Sequence, residues 1–225
     1  MKYELVIEEG TQLKRIKAIR DIPKYEVKTG DFGGYIDSES NLSQANDAWV
    51  SDNAWVSGNA RVSGNAWVSG NARVSGNARV SGDARVSGNA WVSDDAWVFG
   101  NAWVSDDAWV FGNARVFGNA RVFGSARVSG DARVSGNAWV SDDSWVSGNA
   151  YVSLGKYICC IGVADGWWKS LVNVNGAAYI QAGCRSFTLD DAYNYWSNHV
   201  EDRALTLALL ESAKSIANLL GLTCN

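Results

Sequence analysis

The residues equipped for catalysis are few. The only histidine, His199, falls in a tail predicted to be helical, where it reads as a helix-surface residue rather than a general base. Cys159, Cys160, Cys184 and Cys224 form neither a C-x-x-C pair nor a zinc spacing, and neighbouring cysteines seldom bridge each other, so reduced thiols are expected. The acid pairs Asp94-Asp95, Asp106-Asp107 and Asp142-Asp143 could suggest calcium. Asp alternates with Gly and Asn in those slots, however, and these residue types accept positive φ more readily than most, so corner chemistry is the better reading. No catalytic residue, metal site or cofactor is expected. What remains is recognition chemistry: arginines and tryptophans that recur at one slot of a short repeat.

That repeat runs from Ala48 to Val152, one hexad written eighteen times without a slip. Each unit is Ala, a variable residue, Val, Ser or Phe, Gly or Asp, then Asn, Asp or once Ser; Ser144 alone replaces the Ala. A strict short period outranks other sequence signals. Ala-x-Val makes a three-residue strand with two small apolar side chains on one face and the variable residue on the other. Strand and corner therefore alternate about a common axis. Valines and alanines suit a narrow solenoid whose coils rest on their neighbours, not a thick globular interior. The single proline, Pro23, agrees with a backbone that donates hydrogen bonds almost everywhere.

Around the shaft, residues 1–35 read as a charged β-rich cap, with strands at Tyr3–Glu8 and Leu13–Arg20 separated by a turn at Gly10, and a turn cluster from Thr29 to Gly34. Ile36 and Leu42, six apart, fit an early start of the coil. Residues 154–225 read as a small α+β capping domain. Short strands fall at Lys156–Val163, Leu171–Val174 and Ala178–Ala182, and Thr188 caps a helix from Asp190 to about His199. A second helix runs from Glu201 to Leu220 with Gly221 as its stop. Both flanks would cover free strand edges. The net charge of -4 gives the whole molecule no polyanion-binding signature. The chain opens without an apolar signal core and has no run of eighteen apolar residues, so a soluble protein of the bacterial host cytoplasm, off the membrane, is expected.

The Val-x-x-x-Ala-x pattern resembles hexapeptide-repeat proteins. That resemblance implies a left-handed parallel β-helix with three hexads per coil, hence about six triangular coils over residues 36–153. The wording Gly-Asn-Ala-Arg-Val-Ser resembles repeat proteins of phages and prophages. Lys28–Ile36 and Ala182–Ala192 are similar to the flanking segments of such proteins. Many hexapeptide-repeat proteins are trimeric acyltransferases using CoA- or carrier-linked donors, with a histidine general base often held on a loop leaving the coil. This chain departs from that pattern: no residue is inserted between Val50 and Val152, and His199 lies outside the shaft.

With three hexads per coil, residues eighteen apart share a wall. The first wall carries Trp49, Trp67, Arg85, Trp103, Arg121 and Trp139. The second carries Trp55, Arg73, Trp91, Trp109, Arg127 and Trp145, and the third Arg61, Arg79, Trp97, Arg115, Arg133 and Tyr151. Such columns could be structural ladders that set register, or a binding surface. The Arg-rich third wall is the candidate binding face. Its stacked like charges need anions, supplied by a partner or by corner acids such as Asp83 and Asp131. Phe99, Phe111, Phe117 and Phe123 replace Ser mid-shaft and, with Trp91, Trp103 and Trp109, form an aromatic girdle that fits an interface. The expected function is non-catalytic binding: a homo-oligomer, dimer or trimer, encoded by a phage and engaging or blocking a host or phage protein. Nucleic acid on the Arg/Trp wall, with a base stacked on Trp97, a divergent acyltransferase and a self-assembling structural unit are the alternatives.

Overall fold

The structure, a computed structural model, describes residues 1–8, 14–152, 158–164, 167–174, 177–182, 185–198, 203–219 and 221. Each hexad folds as a two-residue strand and a tight corner. Eighteen such strands, β4 to β21, run from Trp49–Val50 to Tyr151–Val152. Val50 lies beside Val68, Val56 beside Val74 and Val62 beside Val80, all in parallel register, so three hexads close one coil. The backbone bonds run from coil to coil: Trp49 N–H donates to the Ala66 carbonyl and Ser51 N–H to that of Val68, both at 2.9 Å. Every repeat valine from Val50 to Val152 is buried, as are the alanines from Ala48 to Ala138, while Ala150 in the last hexad is partly buried. Ser144 takes an alanine's inward place and is equally buried.

The result is a mainly β solenoid of three sheets with nine, ten and six strands, parallel along the shaft and antiparallel at its two ends. It has about seven turns rather than six. Ile36 pairs with Val56, Leu42 bridges to Val62, and Ile158 pairs with Val140. These three residues continue the valine register at both ends, and Ile36 and Leu42, where the hexad wording is lost, are buried as the valines are.

At the N-terminal end, β1 (Tyr3–Ile7) and β2 (Lys14–Ala18) pair antiparallel, and β2 pairs with β3 (Phe32–Ile36), which continues into the second wall. The predicted turn at Gly10 lies outside the described residues. The turn cluster from Thr29 to Gly34 needs correction: its second half is strand. Gly33 and Gly34 are there for closeness. A Cβ on Gly33 would run into the Val50 carbonyl and Ile16, and one on Gly34 into the Ala54 carbonyl.

The mouth of the prism is closed by side chains. The Lys2 ammonium is fully buried and donates to the Ser43 and Ala48 carbonyls at 2.6 Å each. Asn41, also buried, donates to the Gly58 and Ala60 carbonyls at 2.9 and 2.8 Å, and the Tyr3 hydroxyl donates to Leu42 O at 2.7 Å. These groups satisfy carbonyls that the first coil would otherwise leave bare.

At the other end, β22 (Ile158–Ala164), β23 (Trp167–Val174), β24 (Ala177–Ala182) and β25 (Arg185–Thr188) extend the first wall as an antiparallel meander. Helices α1 (Leu189–Ser197) and α2 (Arg203–Leu219) follow, and Thr188 caps α1 by accepting from Asp191 N–H at 3.1 Å. Leu171, Ile180, Leu189, Trp196, Leu210 and Ala213 form a second, smaller core. Gly221, at φ 67, follows α2 as its stop.

Candidate binding walls

The corners hold the walls at fixed spacing. In each corner the slot filled by Gly or the first Asp has positive φ, from 54° at Asp142 to 72° at Gly100, while the Asn or second Asp that follows does not. The second slots stack into amide ladders along the axis. Asn53 donates to Asn71, Asn71 to Asn89 and Asn89 to Asp107, at 3.4, 3.2 and 2.9 Å. The other two corners carry Asn59–Asn77–Asp95 with Asn113–Asp131, and Asn65–Asp83 with Asn101–Asn119–Asn137. An aspartate ends four of these five runs, because a carboxylate accepts but has no donor to pass on. The first-slot acids do different work: Asp52, Asp94 and Asp106 accept the Gly N–H one coil further on, at 2.9, 3.0 and 3.1 Å. The acid pairs thus have conformational employment, as the corner reading expects.

All three outward columns stand in the expected register. On the third wall Arg61 lies beside Arg79, Arg79 beside Trp97, Trp97 beside Arg115, Arg115 beside Arg133 and Arg133 beside Tyr151. Arg79 and Arg115 turn onto the Trp97 ring from the two neighbouring coils, at 5.0 and 5.5 Å from its centroid. Each guanidinium thereby leans away from the like charge on its other side. A nucleobase stacking on Trp97, the role expected of that ring, would have to displace one of these guanidiniums.

The corner acids do not neutralise these arginines. Among the described residues no carboxylate is within ion-pair distance of any shaft arginine. Asp83 pairs with Lys24 instead, and the bonds from Lys24 and Asn65 hold its carboxyl below the usual carboxylate range. Asp131 accepts the Asn113 amide at 3.0 Å. Four exposed guanidiniums, those of Arg61, Arg79, Arg115 and Arg133, therefore line one flat face without an acid beside them.

The first and second walls are built differently. On the first wall Arg121 sits between Trp103 and Trp139, 5.5 and 5.2 Å from their centroids, and Arg85 lies over Trp67 at 5.9 Å. On the second, Arg127 lies over Trp109 at 5.5 Å, and Trp91 meets Trp109 edge-on at 5.3 Å. Trp67, Trp91, Trp103 and Trp145 each donate an indole N–H to the serine sixteen residues earlier, namely Ser51, Ser75, Ser87 and Ser129. The sequence carries that signal, Ser sixteen before Trp, and reasoning by columns of eighteen passes over it.

Not all nine shaft tryptophans present surface. Trp49 is only 1 % exposed, because the segment after β2 folds over the start of the first wall. A 3-10 turn, Pro23–Tyr25, straps that wall: Tyr25 stacks on Trp67 at 5.2 Å and donates to Asn65 O, and burial pushes its hydroxyl up to about 12. Trp91, Trp97, Trp103, Trp109 and Trp139 keep between 37 and 41 % of their surface. The phenylalanines stand on three separate corners. Phe99 stacks flat on Phe117 at 4.9 Å, Phe111 adjoins Trp91 and Trp109, and Phe123 meets the Trp139 edge at 6.1 Å. No single flat partner can cover all four. A hollow of about 430 Å³ opens on the first wall between Trp103, Arg121, Phe123 and Trp139. His199, and with it the one histidine available to an acyltransferase, lies outside the described residues, as does Cys184. Among the described residues no group of His, Cys, Asp and Glu could hold a metal ion, and no helix is long and apolar enough to cross a membrane.

Comparison with known proteins supports the repeat. The family described as YdcK Beta solenoid repeat matches residues 54–70, 66–82, 72–88, 78–94, 114–130 and 126–142, less than half of the chain. A crystal structure from Bacillus cereus, described as a candidate acetyltransferase, aligns over 80 % of this chain and 92 % of its own at 10 % identity, with a TM-score of 0.23. So slight a likeness carries no argument about activity. No curated protein matches the chain.

Proposed function

We propose that this β-solenoid repeat protein is a non-catalytic binding protein, encoded by a phage or prophage, that engages a host or phage protein through the third wall. One observation carries the reading: the third wall lines up four exposed arginines, Arg61, Arg79, Arg115 and Arg133, with no carboxylate of the described residues within ion-pair distance, whereas the first and second walls carry two arginines each among tryptophans. An array of like charges on a rigid frame is complementary to an acidic surface, and it steers encounter and fixes orientation. Arg and Trp are also the residues that dominate interface energies. The phage origin rests on the wording of the repeat and its flanks. With Arg79 and Arg115 turned onto Trp97, an acidic protein surface suits this wall better than single-stranded nucleic acid, which needs open stacking platforms.

Affinity capture from the native host tests this. Wild type is expected to retain a protein that the Arg61→Ser/Arg133→Ser variant loses; retention by both would contradict the proposal. Incubation with acetyl-CoA and candidate acceptors is expected to give no turnover, and turnover abolished by His199→Ala would replace binding with acyl transfer.

A further inference from the structure

The nine aspartates of the hexad repeat are not spread evenly around the prism. Five of them, Asp52, Asp106, Asp107, Asp142 and Asp143, stand exposed on the corner between the first and second walls. In a triangular section that corner is opposite the third wall. The others, Asp83, Asp94, Asp95 and Asp131, border the third wall, but among the described residues none is within ion-pair distance of its arginines, so one chain carries an acidic ridge on one side and a line of unpaired arginines on the other.

The two features also match in detail. Going up the ridge, successive coils present Asp106-Asp107, then Gly124-Ser125, then Asp142-Asp143. Going up the third wall, successive coils present Arg79, then Trp97, then Arg115. Both triplets have the same rise, about 4.8 Å per coil, because both are built on the same solenoid. Acid pairs meet guanidiniums at each end, and the 38 %-exposed indole meets the coil whose corner carries no charge and has the Phe123 ring beside it. Wall on wall or ridge on ridge would oppose like charges.

We propose that the triplet Arg79, Trp97 and Arg115 docks the Asp106–Asp143 ridge of a second copy of this chain. The inference rests on the reading of the third wall as the binding face and names a partner for it. Because donor and acceptor surfaces differ and lie on opposite sides, the contact is heterologous, and it leaves one ridge and one wall open for further copies.

Sedimentation velocity at rising protein concentration tests this with the full chain and two variants, Arg79→Glu/Arg115→Glu and Asp107→Lys/Asp143→Lys. All altered positions are exposed, and circular dichroism is expected to match wild type. If the glutamates perturb the fold, Arg79→Gln/Arg115→Gln replaces that pair. At low ionic strength the wild-type mass is expected to climb above 24.3 kDa with concentration. It should return to that value in 1 M salt, where charges are screened beyond about 3 Å. Each variant alone should remain at the single-chain mass, and an equal mixture of the two should associate again, since it restores opposite charges across the contact. A wild type that stays at single-chain mass throughout, a variant that associates as wild type does, or a mixture that stays dissociated overturns the inference. If wild type stays single while third-wall variants still lose the captured partner, the self-docking fails and the proposed function stands.

Discussion

Lys2 shows how much of the cap depends on single side chains. It plugs the open end of the prism, and nothing in the sequence marks it, because one lysine near a terminus looks like any solvated charge. Its burial, with Arg20 nearby, lowers the ammonium from 10.5 to about 8. Between those values the unfolded chain holds a proton that the folded chain has released, so stability rises with pH across that window; below about 8 both states are protonated and the cost is constant. Lys2→Met is expected to lower stability at pH 7 by about 1–3 kcal/mol, the cost of leaving buried carbonyls unpaired. It should also remove the rise between pH 8 and 10.5 when urea titrations of the two proteins are compared. An identical rise in the variant would assign it to other groups. Arg79 and Arg115 make the same point about legibility: their column follows once three hexads make a coil, as the resemblance implies, but their turn onto Trp97 depends on rotamers that no sequence pattern determines.

The corner is the element on which the walls depend. Its first slot is Gly or Asp in every hexad, a restriction visible in the sequence and explained by geometry. At Gly82 φ is 71° and an added Cβ would come within 2.9 Å of the Gly100 nitrogen. Aspartate meets the same crowding but returns a hydrogen bond to the next coil's Gly N–H. Where it does, the following backbone bond is 3.0 Å, as from Asn53, Asp95 and Asp107, against 2.7–2.8 Å above Gly64 and Gly82, from Asn65 and Asp83. Gly82→Ala is therefore expected to destabilise by more than about 1 kcal/mol, the usual scale of left-handed strain, and Gly82→Asp by less. Thermal melts that rank Ala above Asp would contradict this account of the slot. Gly33 and Gly34 were misread for a related reason: a glycine pair signals a turn or a close approach equally well, and only the position of the first coil decides.

At the scale of the molecule, the period and the inward valines were legible because a strict repeat leaves one way to fill a narrow core, whereas the three columns followed from the three hexads per coil that the resemblance to hexapeptide-repeat proteins implies. The caps were legible as elements but not as contacts: the strap through Lys24 reaches Asp83, 59 residues away. The repeat also makes the shaft modular. Deleting residues 73–90 removes one whole coil and keeps every column in phase, so a folded protein with a modestly lower melting temperature is expected. Deleting residues 73–78 moves each later residue to the next wall and misplaces the C-terminal meander, and a larger loss is expected. Equal effects would mean that three hexads do not define the unit.

The most direct test of third-wall binding compares two variants of equal charge in their affinity for a fluorescent polyglutamate at low ionic strength. Arg61→Ser/Arg133→Ser removes two guanidiniums from the third wall, and Arg85→Ser/Arg127→Ser removes two that lie over indoles. The account predicts that the first variant loses binding and the second keeps it; equal losses would show that net charge, not the wall, does the binding.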